Sequence, residues 1–383
     1  MRIGVLTSGG DVPGLNACIK AIVQGADDRG WTVVGIRRGW RGLMSCDLSL
    51  SPQGDHCRVL SRHDVDGIEN IGGTILHTSR LNPAQLHIRD VPGFLQGKLP
   101  PGLVEGSFDG TNHILRVLDH LDVDVLIPIG GDGSLRFAAH LHSKGFPVIS
   151  IPKTMDNDVY GTDYCIGYST CVTRCVDSLN TIRTSISSHE RVALIELFGR
   201  HSGEPTLIAG HIASANRVLI PEVPVDLERL RDLLLKDKRD NPHNYALAVV
   251  AEGVRLTGRD PVYEGQKDVY GRRRLGGIGR QICAAFREEE GLDCMTQSLA
   301  YLLRSGEPDA LDKLAALSFG MMALQLLDAG ETGRMTALRN GIYTTVDAGH
   351  CLEGQKRIDV GSWYDAAAYR PEIRNIVGRP LYL

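Results

Sequence analysis

No CxxC pair occurs among the nine cysteines of this 383-residue chain (Cys18, Cys46, Cys57, Cys165, Cys171, Cys175, Cys283, Cys294 and Cys351). An odd count at scattered spacings excludes a disulfide framework and a structural zinc site, leaving reduced cytosolic thiols as the simple account. No stretch of about 18 or more apolar residues exists, so no membrane span is expected. The chain opens directly into MRIGVLTSGGD, without a basic n-region followed by a long apolar stretch. No signal peptide is therefore expected, and the protein is read as cytoplasmic. A net charge of −4 lacks the global basic field of a nucleic-acid binder. The pattern GxxxxGK(S/T) is absent, which excludes a Walker A loop. No GxGxxG follows the first apolar run, which argues against a dinucleotide-binding dehydrogenase. Internal repeats, heptad arrays and low-complexity segments are absent too.

What is present is ordinary in bulk. Hydrophobic residues make up 42% and charged residues 23%, as in a soluble globular enzyme. The length corresponds to two domains or one large two-lobed one. Several of the 44 glycines sit in runs beside Asp, Ser and Thr, the usage of tight turns around ligands. Short apolar runs recur at Ile3 to Leu6, Val33 to Ile36, Val125 to Ile129, Val148 to Ile151, Val192 to Leu197, Arg217 to Ile220 and Ala246 to Ala251. Continuous apolar runs alternating with helical patterns predict strands buried on both faces, hence an α/β fold with a mainly parallel sheet. Ligands of such sheets bind at the carboxyl ends of the strands, where the polar and glycine clusters fall here. Two stretches read as surface insertions: Asn82 to Gly110, rich in Pro and Gly, and Thr257 to Gly277, which carries Gly271-Arg272-Arg273-Arg274. The triple arginine reads as a solvated loop in preference to an anion site.

Three clusters carry chemistry. Ser8-Gly9-Gly10-Asp11 and Gly130-Gly131-Asp132-Gly133-Ser134 each follow a predicted strand and open a helix. Glycines there let backbone N–H groups approach phosphate oxygens, and a helix N-terminus favours negative charge. An aspartate in such a loop repels bare phosphate unless a metal lies between, so Asp132 is a candidate Mg²⁺ ligand. The plainer alternative is a glycine turn with an aspartate N-cap. The segment Pro152-Lys153-Thr154-Met155-Asp156-Asn157-Asp158 packs two carboxylates, a hydroxyl and a lysine together. Phosphoryl transfer needs positioned cations, a metal and a carboxylate near the attacking hydroxyl. Asp156 is the candidate proton acceptor, Asp158 and Asp132 candidate metal holders, and Thr154 and Lys153 candidate phosphate contacts. An Asp-rich turn capping a helix is the alternative.

The order TSGGDxPGxNA (Thr7 to Ala17), GGTxLxxSR (Gly72 to Arg80), GGDGS (Gly130 to Ser134), PKTxDND (Pro152 to Asp158), GTDYxIGxxT (Gly161 to Thr170), SxHxR (Ser187 to Arg191), xGRxxG (Phe198 to Gly203) and VxAEG (Val249 to Gly253) resembles the phosphofructokinase family over most of the chain. The resemblance implies two Rossmann-like three-layer lobes of mostly parallel sheet with the active site in the cleft between them. Residues 1–165 with about 303–355 are then expected to bind the phosphoryl donor, and 166–302 with about 356–383 the sugar phosphate. It implies 6-phosphofructokinase activity, the γ-phosphoryl of ATP passing to the 1-hydroxyl of fructose 6-phosphate, with Mg²⁺ as cofactor. The alternative is a pyrophosphate-dependent fructose 6-phosphate 1-phosphotransferase. It further implies a homodimer or homotetramer, with no nucleic-acid or membrane partner.

Roles carry over where residues match. The resemblance makes Asp156 the general base, with Thr154 and Arg200 also catalytic, and Asp132 the metal ligand. It assigns Gly10, Arg80, Gly131, Gly133, Ser134 and Lys153 to the donor. It assigns Asp158, Arg191, Phe198, Gly199, Glu252, Tyr301 and Arg304, with Thr154, Asp156 and Arg200, to the sugar phosphate, Arg191 reaching in from a neighbouring subunit. Phe198 stands where the family usually has Met, Tyr301 where bacterial ATP enzymes have His, and Met295 where a second cross-subunit arginine is usual. Lys20, Gln24 and Asn216 replace the charged residues of the bacterial effector site. Pyrophosphate-dependent members read GGDD and PKTxDND; Gly133 leaves room for a nucleotide α-phosphate while Lys153 matches the pyrophosphate pattern, and ATP is the favoured donor. A binding subunit without catalysis is expected to shed the carboxylates, yet Asp132, Asp156 and Asp158 are all present.

Overall fold

The computed structural model describes residues 1–50, 55–97, 106–259, 263–264, 274–372 and 377. The larger strands are β1 (Arg2–Ser8), β2 (Thr32–Ile36), β3 (Cys57–Leu60), β4 (Val125–Gly130), β5 (Ile149–Pro152), β6 (Val192–Leu197), β7 (Arg217–Leu219), β8 (Ala246–Ala251), β9 (Cys294–Ser298), β10 (Arg334–Arg339) and β11 (Ile342–Asp347). The longer helices are α1 (Leu15–Asp27), α2 (Thr111–His120), α3 (Asp132–Ser143), α4 (Tyr168–Ser188), α5 (Glu204–Ile212), α6 (Leu227–Asp240), α7 (Ile278–Glu290) and α8 (Ala310–Asp328). They fall into two compact units, one of Met1–Thr154, Val159–Gly167 and Arg304–Gln355, the other of Met155–Asp158, Tyr168–Leu303 and Lys356–Leu383.

In the first unit a seven-stranded sheet runs β11-β10-β5-β4-β1-β2-β3. Its five central strands are parallel, and β3 and β11 pair antiparallel at the two edges. β1 to β5 except β3 are almost wholly apolar and buried, as strands covered on both faces must be. From β1 the chain goes on to β2, while β4 lies on the other side of β1. The topology therefore switches direction between β1 and β4, and the register aligns Ser8 with Gly130 and Gly130 with Pro152. Three loops thus leave the carboxyl edge at one level. Leu6, Val34, Ile36 and Leu126 pack against Ile114, Val117 and Leu118 of α2 and Phe137 and Leu141 of α3.

By length and composition alone α8 is apolar enough to cross a membrane, although charged residues interrupt it. Its packing is that of a core helix: Gly320 lies against Ala21 and the Cys18 carbonyl of α1, and half of the stretch is buried. Its buried Asp312 accepts hydrogen bonds from the Tyr164 hydroxyl (2.6 Å) and the Gly167 N–H (2.8 Å).

The second unit has a four-stranded parallel sheet, β9-β6-β8-β7. Its core joins Val192, Leu194, Val218, Ala248 and Val250 to Leu207 of α5, Leu230 and Leu234 of α6 and Ile282 and Phe286 of α7. Both units are α/β with mainly parallel sheets, as the apolar runs predict.

Two differences have physical causes. The Pro- and Gly-rich stretch Asn82 to Gly110 is not a surface insertion throughout: Leu86, Val91 and Leu95 are buried in the first unit's core. The hairpin β10–β11 turns on Asn340 and Gly341 with φ of 53° and 78°, the left-handed pair of a two-residue turn. Arg272 and Arg273 lie outside the described residues.

Candidate active site

The first unit gathers cations around a glycine. At Gly10 a Cβ would lie 2.9 Å from an Arg304 guanidinium nitrogen and 3.5 Å from one of Arg80, so the bare backbone here lets both guanidinium groups come close. Lys153 is buried, and its Nζ donates to the Gly10 carbonyl at 2.6 Å. Burial, then the charges of Arg80 and Arg304, lower the Lys153 ammonium to about 8, with Asp11 opposing. The Arg304 Nε stands 3.5 Å from Asp11 Oδ1. Arg80 is brought here because the Gly9 N–H donates to the Ser79 carbonyl (2.9 Å) and the Thr78 hydroxyl to the Gly9 carbonyl (2.8 Å). Asn16 of the first motif ties down the preceding loop, donating to Ile71 O and accepting from the Ile75 N–H. Three basic side chains thus face one carboxylate around this loop, a locally positive surface.

Gly131 is the N-cap of α3, and Asp132 follows in its first turn. Asp132 is thus not the capping residue; both its oxygens accept from Arg136 Nε at 2.9 Å, one turn on. Ser134 is buried, whereas Gly133 is exposed and a Cβ built on it meets nothing within 4 Å. Among the described residues no three His, Cys, Asp or Glu side chains gather as a metal cage. Mg²⁺ does not require one: it binds through one or two carboxylates and completes its shell with waters and phosphate oxygens. A half-exposed Asp132 in the first turn of α3 fits that demand.

In the second unit Asp156 lies with Asp158, Glu252 and Arg200. The Asp156 carboxyl is raised well above the usual range by burial first, then by the neighbouring Asp158 and Glu252, against the pull of Arg200. The Arg200 N–H faces Asp156 Oδ2 at 3.4 Å. Arg200 and Glu252 come together because β6 and β8 are adjacent, with Leu197 opposite Ala251. A Cβ on Gly253 would lie 2.1 Å from the Arg200 carbonyl oxygen, so the two loops touch backbone to backbone. Gly199, at φ 132°, makes the turn that starts the Arg200 loop. Phe198 precedes it, half-buried. Farther out, Arg191 pairs with Asp293 at 3.3 Å, and Tyr301 is exposed.

The family model for phosphofructokinase matches residues 2–327. The chain belongs to the phosphofructokinase family. It is 36% identical over 368 residues to the ATP-dependent 6-phosphofructokinase 3 of Streptomyces coelicolor, covering 96% of this chain and 99% of that one. It is 37% identical over 341 residues to the pyrophosphate–fructose 6-phosphate 1-phosphotransferase of Amycolatopsis methanolica, covering 88% and 91%. Among solved structures, the pyrophosphate-dependent phosphofructokinase of Nitrosospira multiformis superposes with a TM-score of 0.75, covering 100% of this chain and 95% of that one. At 17% identity this likeness shows the fold.

Two features of this family member bear on the sequence-derived grouping. Arg304, which the resemblance assigns to the sugar phosphate, lies against Gly10 and Arg80 in the first unit, the unit with which the resemblance groups residues from about 303 to 355. The PKTMDND segment is divided, Lys153 and Thr154 belonging to the first unit and Asp156 and Asp158 to the second. Sequence reasoning also missed a buried group behind Asp156. The Asn157 side chain donates to Glu204 Oε1 at 2.8 Å, and Lys356 Nζ reaches Glu204 Oε2 at 2.9 Å. Burial raises the Glu204 carboxyl, with Lys356 and Asn157 opposing. Its position directly after Phe198–Gly203 was the available signal; Lys356 had none.

Proposed function

We propose that this chain is a 6-phosphofructokinase that transfers the γ-phosphoryl of ATP to the 1-hydroxyl of fructose 6-phosphate, giving fructose 1,6-bisphosphate. The observation that carries the reading is the cationic cluster of Lys153, Arg80 and Arg304 around Gly10, set at the sheet's switch point where α/β folds bind ligands. Its composition suits the phosphates of a donor, which Gly131, Gly133 and Ser134 also line. Asp132 would hold Mg²⁺ together with donor phosphates and water; the ion supplies charge neutralisation on the transferring group.

In the same reading the second unit holds the sugar phosphate. Asp156 accepts the proton of the 1-hydroxyl, and its surrounding carboxylates raise its proton affinity toward the working pH. Thr154 and Arg200 contact the transferring group, Asp158 and Glu252 orient the sugar, and Arg191, Phe198, Gly199 and Tyr301 complete that site. The enzyme works in the cytoplasm as a homodimer or homotetramer; nine free thiols support a reducing compartment.

Pyrophosphate as donor is the second reading, favoured by Lys153 and by the Amycolatopsis relative's name. The open space at Gly133 favours ATP, because a nucleotide has an α-phosphate to accommodate and pyrophosphate does not. A coupled assay with each donor, at saturating fructose 6-phosphate and Mg²⁺, decides. Higher kcat/KM with ATP supports the proposal, higher kcat/KM with pyrophosphate supports the second reading, and turnover with neither overturns both.

A further inference from the structure

Glu204 stands at the start of α5, and only 1% of its surface is exposed. A buried carboxylate is costly unless paired and hydrogen-bonded, and an apolar residue of similar size usually serves stability as well. Glu204 is satisfied by groups from three separate stretches. Asn157 donates to one oxygen at 2.8 Å and the Lys356 ammonium meets the other at 2.9 Å. The hydroxyl of Tyr168, at the start of α4, is hydrogen-bonded to it as well. Two of these lead back to a single turn. Asn157 is fully buried and holds a left-handed backbone, φ 51°, between Asp156 and Asp158. The backbone N–H of Lys356 donates to the Asp158 carbonyl at 3.2 Å. The hydrogen bonds therefore close a ring from Asn157 through Glu204 and Lys356 to Asp158.

The ring grips the residues on either side of the turn. Asparagine tolerates the left-handed region better than most residues, but the conformation still needs support. Glu204 also follows the Phe198–Gly203 loop whose Arg200 N–H faces Asp156. One carboxylate thus holds both the turn that bears Asp156 and the loop that touches it.

We infer that Glu204 is the positioning residue of the acceptor site: with Lys356 it sets the left-handed turn at Asn157 and so aims the Asp156 carboxylate at the substrate hydroxyl. The inference rests on the reading of Asp156 as general base. Glu204 touches no substrate; it acts through Asn157 and the turn.

The test compares Glu204→Gln, Asn157→Asp, the two combined, and Asp156→Asn, by steady-state kinetics and thermal melting. Glu204→Gln keeps the shape but removes the ion pair with Lys356. Misplacing a reacting group by about 1 Å costs up to ~100-fold, so kcat should fall about 10- to 100-fold with KM for both substrates little changed. Asn157→Asp alone sets two carboxylates face to face and should lower kcat at least as far. In the combined variant one donor and one acceptor face each other again, with roles exchanged and Lys356 still neutralised, and kcat should recover most of the loss. An unchanged kcat in Glu204→Gln overturns the inference. So does a loss that merely tracks a lowered Tm in assays run well below melting, or a combined variant no better than either single one. Asp156→Asn separates the two levels: if it retains turnover, the general-base reading has failed. If it abolishes turnover while Glu204→Gln does not, only the positioning role has.

Discussion

Asp156 shows how neighbours set a side chain's chemistry. An isolated aspartate is too weak a base to draw a proton from a sugar hydroxyl at neutral pH. Burial beside Asp158 and Glu252 disfavours its charge and raises its proton affinity. Asp156→Asn keeps the shape and removes the acceptor, so kcat should fall by about 10²- to 10⁴-fold with little change in sugar affinity. The sign of the pH effect follows. A raised carboxyl is protonated, and useless as a base, at pH values where an ordinary aspartate is already ionised. The acid limb of the kcat profile should therefore lie above the usual carboxylate range; a limb near pH 4, the ordinary aspartate value, contradicts the assignment. Gly133 tests the donor. Nothing stands within 4 Å of the space its Cβ would occupy, and its backbone is helical, so Gly133→Asp should fold. A carboxylate there repels a nucleotide α-phosphate by on the order of several kcal/mol at ~4 Å, before screening. ATP use should collapse while pyrophosphate use persists. Equal loss of kcat/KM with both donors would show that the residue acts on the loop and not on the α-phosphate.

At the scale of elements, loops bearing residues proposed to bind donor and acceptor follow the carboxyl ends of adjacent parallel strands, β1, β4 and β5 in one sheet and β6 and β8 in the other. A different device secures the edge strand β7. Arg217 on it makes a two-pronged pair with Asp237 of α6 at 2.6 and 2.7 Å, and Arg370 adds a third bond at 2.9 Å. Arg217 also donates to the Ala368 carbonyl, and the Tyr369 carbonyl accepts from the Val218 N–H, so the C-terminal segment covers the open edge. Asp237 and Arg217 are both buried, and removing one member of such a pair leaves an uncompensated charge. Asp237→Ala should therefore lower unfolding stability by about 3–5 kcal/mol in denaturant titration, with kcat at low temperature preserved. A loss below about 1 kcal/mol would mean the arginines find water instead.

For the whole molecule, each compact unit is made of three chain segments. No continuous piece contains either unit, and residues 356–372 belong to the second. Arg191 raises the question of assembly. The family resemblance has it serve a neighbouring subunit's sugar phosphate, and it is exposed beside Asp293. The active species should then be at least a dimer, measured by sedimentation at assay concentration. A fully active monomer would remove Arg191 from the acceptor site.

The chain by itself determined the parallel strands, because a strand covered on both faces must be apolar throughout and such runs stand out in sequence. It marked the glycine loops that follow β1 and β4, because glycine runs beside Asp, Ser and Thr stand out in sequence, and Gly10 does lie close to Arg80 and Arg304. The order of motifs was enough to identify the family. The hairpin at Asn340-Gly341 was equally legible, since both residues favour left-handed backbone, but it falls outside the apolar runs: β11 is a mostly exposed edge strand with a single buried residue, Val346. Only the tertiary structure decided that Leu86, Val91 and Leu95 are core, because burial depends on what packs above a loop. It alone brought Lys356 to Glu204 and Glu204 to Asn157, residues with no local pattern linking them. Such contacts are chosen by the packing of distant segments, and the proton affinity of Asp156 is a property of that packing.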